Sequence, residues 1–205
     1  MDFALSEEQQ AIFDLARDFG AAEIAPNARA WEDAGTIPRA LWQQTAELGL
    51  GGVYVADDYG GTGLSRLDAT LVFEALAMAC PSVGSFLSIH NMCGGMIDKF
   101  GSDASKARWL PGLCSMETLF SYCLTEPGSG SDAGALRTRA ERVPGGWKLN
   151  GTKAFISGGG YSDCYLVMVR TGGDGPKGIS TVVVEAGTPG LSFGANEKKM
   201  GWNAQ

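Results

Sequence analysis

The chain has 205 residues, 44% of them hydrophobic and 19% charged, with a mean hydropathy near zero and a formal net charge of −7. These values bound a folded chain of one large domain or two small ones and exclude disorder. An acidic surface (pI ≈ 4.7) repels phosphate backbones, which excludes nucleic acid as a partner, and no apolar run is long enough for membrane insertion.

The first ten residues, MDFALSEEQQ, carry no basic segment, apolar segment or Arg-rich amphipathic stretch, so no targeting peptide is expected. That places the chain in a bacterial cytoplasm, or in the mitochondrial matrix if it is a processed eukaryotic chain. Helical spacing then runs to about Thr118. Ser6 followed three residues later by Gln9 predicts a capping box, with Ile12, Ala16 and Phe19 on one face of the helix it starts. Pro38 suits a first helical turn, and Gly49 a stop. The segment VYVADDYGGTGLS reads as an irregular loop. Ser65 with Asp68 predicts a third helix, apolar around most of its surface and therefore largely buried. Pro81 separates it from SVGSFLSIHNMCGGMIDKF, whose glycines lower helix propensity and allow another backbone or a ligand to come close. SDASKARWLPGLCSM is the last helical piece.

After Thr118 the pattern becomes that of short strands between Gly/Pro turns: LFSYCLT, GALRTRAERV, GWKLNGTKAFIS, CYLVMVRT, GISTVVVEA and GLSFGA. PGGW and LNGTK read as hairpin turns. The expected fold is thus α+β: an all-helical domain over residues 1–118, then an antiparallel, β-barrel-like domain over 119–205.

Four features bear on chemistry. The five cysteines are odd in number, irregularly spaced and mostly in apolar runs, which predicts buried thiols in a reducing compartment. With one histidine and no clustered ligands, no metal site is expected. His90 lies in an apolar helix without a G-x-S-x-G elbow elsewhere, so it reads as a hydrogen-bonded structural residue rather than a hydrolase base. The loop TEPGSGSD lacks the Lys-Ser/Thr of a P-loop and is followed by a strand pattern rather than the helix of a dinucleotide fingerprint. It is either a plain turn or an anion nest in which Gly128 and Gly130 take positive φ, with Ser129 and Ser131 as extra donors. In KAFISGGG, a flat ring could lie on Phe155 with Ser157 at its edge; the alternative is a strand with one inward aromatic.

YCLTEPGSGSDAGALRTRA followed by LNGTKAFISGG resembles the acyl-CoA dehydrogenase family, and LSEEQ, GGVYVADDYGGTGLS, ISTVVVEAGTPGLSFG and KKMGWNAQ have counterparts there in the same order. The resemblance covers essentially the whole chain. It implies FAD as cofactor, an acyl-CoA substrate oxidised to the α,β-enoyl thioester, an electron-transfer flavoprotein as acceptor, and a homotetramer. Within the family the segments are most similar to those that act on a short branched acyl-CoA such as isobutyryl-CoA.

Transferred onto this chain, the resemblance implies a cofactor-binding loop of Tyr122, Cys123, Leu124, Thr125, Glu126, Pro127, Gly128, Ser129, Gly130 and Ser131. Tyr122, Cys123, Leu124 and Thr125 would line the flavin ring, with Leu124 and Thr125 hydrogen-bonding its polar edge. Gly130 and Ser131 would approach the pyrophosphate, Ser131 also lying near the CoA moiety, while Glu126 would be structural. Phe155 would cover one ring face, with Ile156 and Ser157 in contact; relatives often carry Trp and Thr where this chain has Phe155 and Ser157. The family's C-terminal helical bundle and its catalytic Glu would lie beyond Gln205, so no catalytic base is assigned. Two alternatives are a noncatalytic flavin-binding or assembly module and an acyl-CoA oxidase.

Overall fold

Ser6 caps the first helix as its spacing to Gln9 requires, each side chain meeting the other residue's backbone N–H. In the computed structural model, which describes residues 4–204, helix α1 covers Glu7–Phe19 and runs into a single π-turn over Gly20–Ile24. The start of MDFALSEEQQ (Met1–Phe3) and the end of KKMGWNAQ (Gln205) lie outside the described residues. The chain divides into two compact units, one running up to Leu119 and taking in the stretch from Glu197, the other Phe120–Asn196. The tail from Glu197 groups with the helices, where Asn203 hydrogen-bonds the Glu32 carboxylate through both its backbone and its side-chain nitrogens.

The helical unit continues with α2 (Ala28–Ala34), α3 (Arg39–Glu47), α4 (Arg66–Ala79), α5 (Pro81–Phe100) and α6 (Asp103–Cys114). Pro38 stands at the cap of α3, one residue outside the helix, and Gly49 follows α3 at φ 75°, the left-handed position that glycine fills without a Cβ clash. Ser65 and Asp68 form the second capping box, and Pro81 opens α5 where no N–H is needed. One glycine of α5 meets a backbone, as expected: a Cβ on Gly84 would come within 3.2 Å of the Ala77 Cα.

Two buried polar side chains tie this unit together. The Asn91 side chain donates to the Leu50 and Leu87 carbonyls and accepts from the Val53 N–H at 2.6 Å. Beside it, buried His90 places Nε2 2.9 Å from the Leu113 carbonyl. Together they pin the 50–53 turn and the end of α6 to α5, next to the stacked rings of Trp42 and Phe86. His90 is therefore the structural residue the sequence suggests.

The second unit is a five-stranded sheet of β1 (Phe120–Cys123), β2 (Arg139–Val143), β3 (Gly146–Asn150), β4 (Cys164–Arg170) and β5 (Ile179–Glu185). PGGW makes the β2–β3 hairpin, with Gly145 at φ 84°. β4 is central: β5 runs antiparallel along its whole length, β1 pairs with it in parallel, and β2 joins it by one parallel pairing, Arg139 with Arg170.

Three expectations change here. The sheet is mixed rather than antiparallel and is open rather than closed, because the connection from β1 to β4 is long enough for a crossover, which a hairpin is not. LNGTK is no hairpin: β3 ends at Asn150 and irregular chain continues to Cys164, with Gly151 packed so closely on Thr138 that no side chain fits. GLSFGA forms no strand. One face of the sheet buries Cys123, Ala140, Tyr165, Val167 and Val169 under Ile156, Val182, Val184 and Leu191.

Candidate functional site

The end of β1 and the irregular segment after β3 lie side by side. The Ala154 N–H donates to the Thr125 carbonyl at 2.8 Å, and the Lys153 ammonium donates to the Leu124 carbonyl and to Glu126 Oε1, both at 2.9 Å. The Glu126–Lys153 pair is nearly dry, with side chains 8% and 10% exposed. Glu126 also accepts from the Arg137 N–H at 2.6 Å and the Thr138 N–H at 2.9 Å. Burial works against its ionisation, but the donors from Thr138, Lys153 and Arg137 outweigh it and hold the carboxyl down at about 2. Its role is that of a staple: one carboxylate joins the loop, the entry to β2 and the 153–157 segment.

The loop itself closes on a reciprocal backbone pair between Glu126 and Ser129, and Ser129 Oγ donates to the Asp132 carbonyl at 2.7 Å. The positive-φ nest does not form, since neither Gly128 nor Gly130 has positive φ. The turn closes through that backbone pair without left-handed residues. A Cβ added at either glycine would meet nothing within 4 Å. Nothing among the described residues therefore demands glycine at these two positions, and both face open space.

Of the sequence-predicted residues, Cys123 turns its thiol into the sheet core, where burial pushes its pKa up to about 12, so only its backbone can reach a ligand. Tyr122, on the opposite face of β1, is half-buried, as are Leu124 and Thr125; Pro127, Gly128, Gly130 and Ser131 are exposed. The hydroxyls of Thr125, Ser131 and Ser157 have no hydrogen-bond partner among the described residues, whereas Ser129 is spent on its own loop.

Phe155 sits at φ 57° with its ring 76% exposed, an uncommon backbone state for a bulky residue and an uncommon place for its ring. Ile156 beside it packs into the sheet core. The turn that follows is built around Tyr165, whose hydroxyl accepts from the Gly160 N–H at 3.0 Å and lies 3.0 Å from the Ser162 carbonyl. Ser121 Oγ donates to the Ser157 carbonyl and fixes that residue from beneath. The two motifs are thus joined into one surface with an exposed aromatic, bare glycine backbone and three uncommitted hydroxyls, which suits a flat polar ring with an anionic tail. Lys153 and Tyr165 were not singled out from sequence. The only local sign of Lys153 is a cation set among half-buried residues; Tyr165 looks like any strand aromatic.

Residues 6–117 match the N-terminal domain of acyl-CoA dehydrogenases and residues 121–205 their middle domain. A mitochondrial isobutyryl-CoA dehydrogenase of Bos taurus is 57% identical over 201 residues, which is 98% of this chain and 48% of that protein. The structure of butyryl-CoA dehydrogenase from Megasphaera elsdenii is similar with a TM-score of 0.88 at 36% identity, over 99% of this chain and 55% of that one. A glutaryl-CoA dehydrogenase from Mycobacterium smegmatis in complex with FADH2 gives 0.89 at 29% identity, over 98% and 51%. The chain spans about half the length of the curated relatives it matches.

Proposed function

The chain belongs to the acyl-CoA dehydrogenase family, and on that premise we propose that it holds FAD and an acyl-CoA thioester for α,β-dehydrogenation of a short branched acyl group such as isobutyryl. The observation that carries the reading is the pairing of uncommitted groups on two clamped segments: Thr125 and Ser131 on one, Phe155 and Ser157 on the other. When bound, FAD supplies the hydride acceptor. Tyr122, Ile156 and the exposed ring of Phe155 line the flavin, and Thr125 and Ser157 donate to its polar edge. The backbone at Gly130 and the hydroxyl of Ser131 meet the pyrophosphate, where charge-assisted bonds are strong. Ser131 also faces the CoA moiety.

Glu126 is not the base that takes the α-proton. Its carboxylate is held at about 2 by Lys153 and two N–H groups, so it lacks the basicity for proton transfer. Its work is to keep the two segments in register, because reaction requires the acyl Cα–Cβ bond to be fixed beside the ring.

Family analogy extends the proposal to an electron-transfer flavoprotein as acceptor, a homotetrameric assembly and a place in branched-chain amino-acid breakdown. The match to mitochondrial relatives supports a mitochondrial-type setting, and no described helix is long and apolar enough to cross a membrane. The test is titration of the purified chain with FAD, followed by visible absorbance and flavin fluorescence. Saturable binding that is weakened by Ser131→Ala supports the reading; a chain that binds no flavin overturns it.

A further inference from the structure

Ser121 is a polar residue at an apolar position. On β1 it shares with Cys123 the face that packs into the sheet core, and it is fully buried beside Tyr165 in the register of β1 on β4. A hydroxyl so deep is costly unless it is bonded. Its Oγ lies 2.5 Å from the Ser157 carbonyl and 2.8 Å from the buried Oγ of Ser162. A carbonyl can only accept, so the approach at 2.5 Å takes the Ser121 proton. The contact with Ser162 holds the Ser121 side chain in that rotamer.

Donors and acceptors of the turn that follows Phe155 are treated unequally. Every carbonyl from 156 to 158 is occupied: Ile156 accepts from the Gly159 N–H, Gly158 from the Tyr161 and Ser162 N–H groups, and Ser157 from Ser121. The N–H groups of Ile156, Ser157 and Gly158 have no partner among the described residues, and neither has the Ser157 hydroxyl. Gly158 is buried, and a buried N–H without a partner is rare in a folded chain. The 157–158 peptide is trans, so its C=O and N–H point in opposite directions. With the carbonyl turned onto Ser121, the Gly158 N–H is turned away from it. The turn is left with an edge of donors only, the complement of a ligand edge made of acceptors.

We propose that Ser121, held by Ser162, is a positioning residue for the polar edge of the flavin. It ties down the one carbonyl of 156–158 that no backbone N–H reaches, so that negative charge gathering on the ring during reduction meets donors and no facing acceptor. The naming of the flavin as ligand rests on the function proposed above; the donor-only character of the turn does not.

The experiment compares wild type, Ser121→Ala and Ser162→Ala, each checked for folding by circular dichroism. FAD is titrated into all three, and the reduction potential of the bound flavin is measured against a reference dye. Ser121→Ala frees the Ser157 carbonyl to turn toward the ring. Expected are FAD binding weaker by about tenfold, the scale of one unmatched buried group, and a more negative potential, because the reduced ring loses more than the oxidised one. Ser162→Ala, which loosens the Ser121 rotamer, should shift both in the same direction by less. A purely structural loss leaves the potential where it was, so an unshifted potential in either folded variant overturns the inference. If Ser121→Ala does not fold, Ser162→Ala decides. A wild-type chain that binds no flavin overturns the function proposed above and this inference with it, whereas flavin bound at one potential by wild type and variants overturns this inference alone.

Discussion

Replacing Glu126 by Gln keeps the shape of the side chain and removes its charge. The carboxylate takes three donors: Arg137 N–H on one oxygen, Thr138 N–H and Lys153 on the other. An amide has one acceptor oxygen, so whichever way it turns, its NH₂ faces at least one N–H donor and one buried bond is lost. A buried donor left unmatched costs about 1–3 kcal/mol, and breaking a buried ion pair about 3–5 kcal/mol. The carboxyl gives an independent figure. Despite the opposing effect of burial it falls from 4.5 to about 2, which at 1.36 kcal/mol per pH unit is about 3 kcal/mol of preference for the charged form. A folded pKa below the unfolded one means that this stability is present above pH 4.5 and is lost as pH falls toward 2.

Hydrogen exchange is the matching assay, because the amides of Arg137 and Thr138 are the ones that Glu126 protects. At neutral pH the variant should exchange them about a hundredfold faster, as about 3 kcal/mol implies. Its acid unfolding should also lose the component that wild type shows between pH 4.5 and 2. Adding Lys153→Met to Glu126→Gln should cost less than the sum of the single changes, since each already breaks the pair. Unchanged protection at Arg137 and Thr138 together with superimposable acid curves would refute the staple.

Three shorter expectations follow from other positions. Burial holds His90 near 4 against hydrogen bonds to Leu113 and Gly51 that favour its charged form, so the helical unit should lose about 3 kcal/mol as pH falls from 6.5 to 4; a flat denaturation midpoint over that window would contradict it. Gly61→Ala drives a methyl into the Val55 carbonyl and should destabilise that unit by about 1–3 kcal/mol in urea titration, whereas Gly128→Ala, with open space around it, should leave stability unchanged. Ser131→Ala should weaken FAD binding by about tenfold or more, as loss of a hydrogen bond to a charged group predicts, and an unchanged dissociation constant would remove that contact.

Local chemistry was legible residue by residue. The two capping boxes, Pro81 at the start of α5, Gly49 after α3 and the β2–β3 turn all rest on neighbours within a few residues, so periodicity and turn composition suffice to read them. The hydrogen-bonded state of His90 followed from its place in an apolar helix, since a buried imidazole must find partners. The pairing of TEPGSGSD with KAFISGG was also legible, though through resemblance rather than through spacing.

Partners distant along the chain were not. The period of two marks Phe120–Cys123 and Cys164–Arg170 as strands but is blind to their direction, and the parallel pairing depends on how 40 intervening residues cross over. The glycines of TEPGSGSD do not take positive φ, while the strain sits at Phe155, where no sequence rule expects a left-handed residue. The sequence by itself determined the helices and the five strands that form, the order of the two units and the residue types at the site. Only the tertiary structure decided that Glu126 closes three segments together and that Arg170 is buried among the carbonyls of Gly134, Leu136, Gly173 and Gly175, because the energy of a buried ion depends on the dipoles and charges the fold brings around it.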